Sequence, residues 1–185
     1  MVVLIGSFIV ILLPLIFLLA QYNQLVGLKN HIKNSWAQID TELKRRYELI
    51  PSLVATVKGY AKHESETLER VTRLRNQCQA NTGPIQQQAS EESLLVAAMQ
   101  RLLVVVEDYP ELKSNRNFLD LQRELINTED RIQAARRFFN GNVRDYNNKC
   151  QLFPSNLVAS VFGFQSHDYF EVDPAVREPP GVKMN

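Results

Sequence analysis

Cysteine is nearly absent: the 185 residues hold two, Cys78 and Cys150, far apart and in no CxxC pair. A disulfide framework and a thiolate metal site are therefore not indicated, and both residues read as small buried apolar groups. Histidine is almost as sparse, with His31, His63 and His167 on three separate stretches. His63 shares a helix face with Glu66 and with Thr67, but a pair falls short of the three protein ligands typical of a catalytic zinc. The seven glycines form no loop that could cradle a phosphate, and no Ser-His-Asp spacing suggests a nucleophile. Net charge is lacking too. Against 20 Asp and Glu stand 21 Lys and Arg, a balance of +1, so no global field draws in nucleic acid. No stretch alternates with the period of a β-strand. These gaps leave no catalytic residue, metal or cofactor to nominate, and an enzyme is not the expectation.

What is present begins with VVLIGSFIVILLPLIFLLA, residues 2–20, which carries no charge and is interrupted only by Gly6, Ser7 and Pro14. About 20 apolar residues in a helix cross about 30 Å of hydrocarbon. A cleaved signal peptide calls for a basic flank ahead of the run and an A-x-A-like cut site; neither is found, which favours an uncleaved anchor in the bilayer. The first cations after the run are Lys29 and Lys33, so the positive-inside tendency leans the rest of the chain toward the cytoplasm.

From Trp36 the pattern steps by three and four through Ile39, Leu43, Arg46, Ile50, Leu53, Val57, Tyr60, Glu64, Thr67, Val71, Leu74 and Cys78. That spacing predicts a long helix with one buried, coiled-coil-like seam. The register passes Pro51 without a slip, which favours a kinked continuous helix over a loop there, despite a cost of about 3 kcal/mol for an interior proline. Gly83-Pro84 marks a turn, and Ser90, followed by Glu91 and Glu92, reads as the start of a shorter helix through Leu94, Leu95, Ala98, Leu102 and Val105 toward Tyr109-Pro110. A second long seam runs through Phe118, Leu121, Leu125, Thr128, Ile132, Ala135, Phe139, Asn142, Tyr146, Lys149 and Phe153, and Pro154 closes it. Ser155 can cap a short apolar turn, NLVASVFGF.

The predicted fold is all-α: an N-terminal transmembrane helix over residues 1–21, an antiparallel up-and-down bundle of three or four long helices over 22–164, and an extended tail over 165–185. The first helix, counted from residue 22 to the end of its seam, should exceed 80 Å, while the second is near 30 Å, at about 1.5 Å per residue. Either the first helix folds into two, or leftover seam packs between copies.

Arg46 stands apart from Lys44 and Arg45, whose partners lie one turn away, because it occupies a seam position. A buried guanidinium must find a carboxylate. Glu129, beside seam residue Thr128, is the expected partner, with Glu64 as the alternative; such a pair can fix helix register. The candidate structural and interaction residues are Arg46, Glu129, Glu64 and Pro51, with Asn117 and Phe118 where the second seam begins and Phe153, Pro154 and Phe164 where it ends.

These segments together resemble the LemA family of membrane-anchored bacterial proteins. The resemblance lies in YNQLVGLKNHIKNSWAQID, LKRRYELIPSLVATVKGYAKHE, YPELKSNRNFLDLQRELINTEDRI, YNNKCQLFPSNLVASVFGF and HDYFEVDPAVREPP, covering nearly the whole chain. It departs in Gly141 after Asn140 and in an end, GVKMN, without a terminal aromatic. The resemblance implies an antiparallel helical bundle and carries over no catalytic residues; one branch is associated with magnetosome membranes, which points toward membrane organisation. The leading expectation is a membrane-anchored scaffold that binds a second copy of itself or a membrane-protein partner. The alternatives are a lipid-interacting or membrane-remodelling protein acting through NLVASVFGF, and an accessory subunit of a membrane enzyme or protease.

Overall fold

A computed structural model describes residues 2–171, with side chains from residue 12 onward. Six helices and no strands are found among the described residues: α1 Val2–Tyr60, α2 Ser65–Ala80, α3 Ile85–Val106, α4 Pro110–Lys113, α5 Arg116–Gln151 and α6 Ser155–Val161. The fold is all-α. The expected tail beyond Glu171, with Asp173-Pro174 and Pro179-Pro180-Gly181, lies outside the described residues.

Two compact units divide the chain. One comprises α1 as far as Ala37 with Arg137–Asp168; the other comprises Gln38–Arg136 joined by Tyr169 and Phe170.

The second unit is an up-and-down arrangement of four long helical segments, from α1, α2, α3 and α5, with the one-turn α4 between the last two. Arg45 meets Glu124 at 3.0 Å and Tyr60 meets Asn115 at 2.9 Å, so α1 and α5 run antiparallel. Between them in the chain come α2 and α3, which pack on each other. The seam of α1 is buried in the phase its spacing predicts, at Ile39, Leu43, Arg46, Ile50, Leu53 and Val57.

The first long helix does not continue to Cys78. It ends at Tyr60, a turn closes through Glu64 N–H to Ala61 C=O at 3.2 Å, and α2 starts at Ser65. The seam positions between the helices are the ones that fail: Tyr60 is exposed, Glu64 and Thr67 are half-buried, and Ala61 and Leu68 are buried instead. Leu68, Val71, Leu74 and Cys78 then bury a face of α2. With a polar K-H-E run at 62–64 and no large apolar side chain between Tyr60 and Leu68, a straight continuation had too little to bury, and the chain turns back.

Pro51 lies inside α1 and does not break it. A proline cannot donate to the carbonyl four residues earlier, here that of Tyr47. Arg75 of α2 supplies the missing donor, its Nε lying 3.0 Å from the Tyr47 oxygen.

The helix α3 begins at Ile85, five residues before Ser90, which therefore sits within it and caps nothing. The preceding turn is tied instead by Asn81 Oδ1, which accepts from Gly83 N–H at 2.7 Å, and by Gln88 Nε2, which donates to the Gly83 carbonyl at 2.7 Å. Asn115 caps α5, with Oδ1 accepting from Phe118 N–H at 3.1 Å.

In the first unit Leu25, Ile32, Phe139, Val143, Tyr146, Val158 and Ala159 are buried. Trp36 meets Phe139 edge-on at 5.6 Å between ring centres. Gly141 interrupts nothing, since α5 is continuous to Gln151. Past that point the seam expectation fails at Phe153, which is 79% exposed beside a cis Phe153-Pro154 bond. Ser155 does not cap α6 either: its Oγ reaches back to the carbonyls of Lys149 and Leu152 at 2.7 and 2.9 Å, satisfying the end of α5. Residues 165–168 form no helix, but Asn147 clamps the backbone of His167 from both sides, at 2.9 and 2.8 Å.

Candidate functional site: an arginine held by two glutamates

Seam spacing puts Arg46 on the buried face of α1, where it is 2% exposed. Its guanidinium meets two carboxylates from two other helices. Nη1 lies 2.8 Å from Glu129 Oε2 on α5, and Nη2 bonds Glu92 Oε2 on α3. The other oxygen of Glu92 accepts from the Tyr47 hydroxyl, so both of its oxygens are engaged. Glu92 is buried, whereas Glu129 is about a third exposed at its side chain. Burial raises the Tyr47 phenol well above its usual range, against the opposing pull of Arg46. Burial likewise pushes the Cys78 thiol up to about 11.

A cavity of about 440 Å³ opens beside this cluster, lined among others by Leu43, Ser93, Ile132, Arg136 and Phe170. The Arg136 guanidinium lies 5.0 Å from the centre of the buried Phe170 ring, a cation–π contact that holds the segment after Asp168 in this unit. Two guanidinium groups and two carboxylates line the cavity, so its formal charges balance. Within the cluster the arginine stays charged, and both Glu92 oxygens accept hydrogen bonds. Among the described residues no group of three or more His, Cys, Asp and Glu could hold a metal ion. What the arrangement does well is fix the mutual register of α1, α3 and α5, because a guanidinium fork accepts only a narrow set of carboxylate positions.

Of the residues singled out from sequence, Arg46 and Glu129 come together. Glu64 does not join them; it precedes α2, where its carbonyl accepts from Leu68 N–H at 3.1 Å. Pro51 is exposed within α1, and its role is read through Arg75 and Tyr47. Asn117 is exposed in the first turn of α5, while Phe118 is 1% exposed and part of the core. Phe153 and Pro154 are exposed and Phe164 half-buried, all three in the other unit. Glu92 was missed. Its signal was available, because steps of three from Ala89 through Glu92 to Leu95 and Ala98 put it on the apolar face of α3. Starting that helix at Ser90 assigned Glu92 to a solvated first turn.

The LemA family model matches residues 35–184. The chain belongs to the LemA family. This LemA-family chain is 29% identical over 161 residues to Protein LemA of Metamycoplasma hominis, covering 82% of the chain and 72% of that protein. It is 34% identical over 82 residues to Magnetosome protein MamQ 2 of Paramagnetospirillum magneticum and 33% identical over 82 residues to Magnetosome protein MamQ of Magnetospirillum gryphiswaldense. Those matches cover 44% of the chain and 30% of each MamQ protein, so the chain spans less than a third of their length.

Proposed function

We propose that this LemA-family protein is a single-pass, membrane-anchored interaction module without catalytic activity, whose helical domain serves to dock a partner at a bilayer. The observation that carries the reading is α1 itself. One uninterrupted helix joins an apolar stretch, in which Leu12, Leu13, Leu15, Ile16, Phe17, Leu18 and Leu19 are all exposed, to a seam buried inside the second unit. A helix apolar on every face needs hydrocarbon around it. The same helix is long and apolar enough to cross a membrane. A name such as magnetosome protein, carried by three relatives, is consistent with work at a membrane.

The seam of α1 finds partners within the chain at Ile39, Leu43, Ile50 and Leu53, which removes the leftover seam as a reason to self-associate. Docking then falls to the surface of the bundle, where Leu94, Val104, Leu119 and Ile126 are exposed apolar side chains. Lys29 and Lys33, just after the apolar run, lean that surface toward the cytoplasm of a bacterium by the positive-inside tendency.

The deciding measurement is the mass of the full chain in detergent across a concentration range. A monomer that recruits a partner from the membrane fraction supports the docking reading. A defined oligomer, stable on dilution, transfers the function to self-assembly.

A further inference from the structure

The last helix offers an apolar face that remains open among the described residues. Its inner side buries Ser155, Val158 and Ala159. Its outer side carries Leu157, 58% exposed, and Val161, 79% exposed, one turn apart, with the exposed Phe162 following the helix and the exposed Leu152 and Phe153 just preceding it. Single exposed apolar residues are ordinary, but here five fall within the eleven residues 152–162, a density that calls for a contact. Residues 150–166 contain no Asp, Glu, Lys or Arg, so nothing charged opposes transfer of this face into an apolar phase.

The position of the face is fixed by its ring contacts. Phe162 lies 4.9 Å and Phe164 5.7 Å, between ring centres, from Tyr22. Tyr22 comes two residues after the apolar run ends at Ala20, which at about 1.5 Å per residue places it about 3 Å further along the helix axis. Tyrosine is the residue type that settles at the membrane–water boundary, with its ring among the headgroups. The end of α6 is held at that level by local geometry. Gly163, at φ +69°, adopts the left-handed conformation, and the pair Phe164 N–H to Ala159 C=O at 2.9 Å and Gly163 N–H to Ser160 C=O at 3.4 Å closes a Schellman cap. The cap points Phe164 back toward Tyr22.

We infer that the outer face of α6, through Phe153, Leu157, Val161 and Phe162, is a lipid-binding surface that lies in the headgroup region of the same bilayer that holds residues 2–20. The inference rests on the reading of residues 2–20 as a membrane span, since that span sets the level of the interface. The occupant is lipid because the face is continuous, through Tyr22, with the exposed apolar side chains of α1. Interfacial helices bury their apolar side about 5–10 Å into the headgroup and acyl boundary, a depth that large side chains on a seven-residue helix can reach. With no cations on the stripe, binding depends on apolar area, so anionic lipid and salt leave it unchanged.

The test uses Val161→Trp and, separately, Phe17→Trp in the full chain, reconstituted into phosphatidylcholine vesicles with or without bromine on the acyl chains. The native Trp36 lies 16 residues past Ala20, about 24 Å along α1, and supplies an unquenched background. Loss of the added emission at both positions in brominated vesicles, unchanged by salt, is the expected result. Quenching at position 17 with full emission at position 161 overturns the inference while leaving the anchor intact. Full emission at both positions overturns the anchor reading and the inference together. Emission at 161 that blue-shifts with protein concentration, without quenching, assigns the face to a second copy and also overturns it.

Discussion

Glu92 and Glu129 hold the same guanidinium but differ in what surrounds them. Glu92 is buried and spends both oxygens on Arg46 and Tyr47, whereas Glu129 keeps a third of its side chain in solvent. Removing one member of a buried pair strands the other, at a cost of about 3–5 kcal/mol, while a solvent-screened pair contributes about 0–1 kcal/mol. Glu92→Ala should therefore lower the urea midpoint of the full chain in detergent by far more than Glu129→Ala, with an unchanged denaturant slope. Equal shifts from the two variants would show that Glu92 is not the desolvated partner. Replacing Arg46 and Glu92 together by Met and Leu should recover part of the loss, since no fully buried charge is stranded, while the buried Tyr47 hydroxyl still loses its acceptor. The arginine was legible in the sequence because a cation on a heptad seam breaks the pattern. Its second glutamate was hidden by a helix start placed five residues late.

Among the elements, α1 shows how a proline is accommodated inside a helix. Pro51 takes one donor away, and Arg75 from α2 returns one to the Tyr47 carbonyl. A buried acceptor left without a donor costs about 1–3 kcal/mol. Arg75→Met should destabilise the chain on that scale, and the loss should shrink in a Pro51→Ala background, where the restored backbone N–H can reach the same oxygen. A double-mutant cycle on chemical denaturation should give a coupling of about 1 kcal/mol; additive effects would separate the two residues. The continuity of α1 past Pro51 was readable from unbroken spacing. The turn at 61–64 was not, because the apolar phase after it realigns at Val71, Leu74 and Cys78 and hides the interruption.

For the whole molecule, several acids are buried in their neutral forms. Burial pushes Cys78 from 9.0 up to about 11 and Tyr146 from 10.0 up to about 12, and it raises Tyr47 further. The unfolded chain loses these protons first as pH rises. Their contribution to stability is therefore complete below about pH 9 and is lost as pH climbs through the folded values. Thermal melts should be flat from about pH 7 to 8.5 and fall between about pH 9 and 11, and Cys78→Ala should flatten that first segment of the fall. A midpoint that stays level to about pH 11 would contradict the burial of these groups. Composition showed nothing of this, since a thiol or phenol titrates according to its surroundings rather than its identity.

The sequence by itself determined the all-α class, the apolar run at 2–20, the buried face of each long helix and the family, because each of these is written in local spacing or composition. Periodicity is a property of one helix, and Ile39, Leu43, Ile50 and Leu53 announce their burial without knowing what will cover them. Tertiary structure alone decided where the first seam turns back, that Glu92 completes the site around Arg46, that Arg75 repairs the gap left by Pro51, and that Phe162 and Phe164 meet Tyr22. Each of those joins side chains far apart in the chain. Their pairing is set by which faces can be packed together with every buried charge and carbonyl satisfied, a condition that no single stretch of sequence contains.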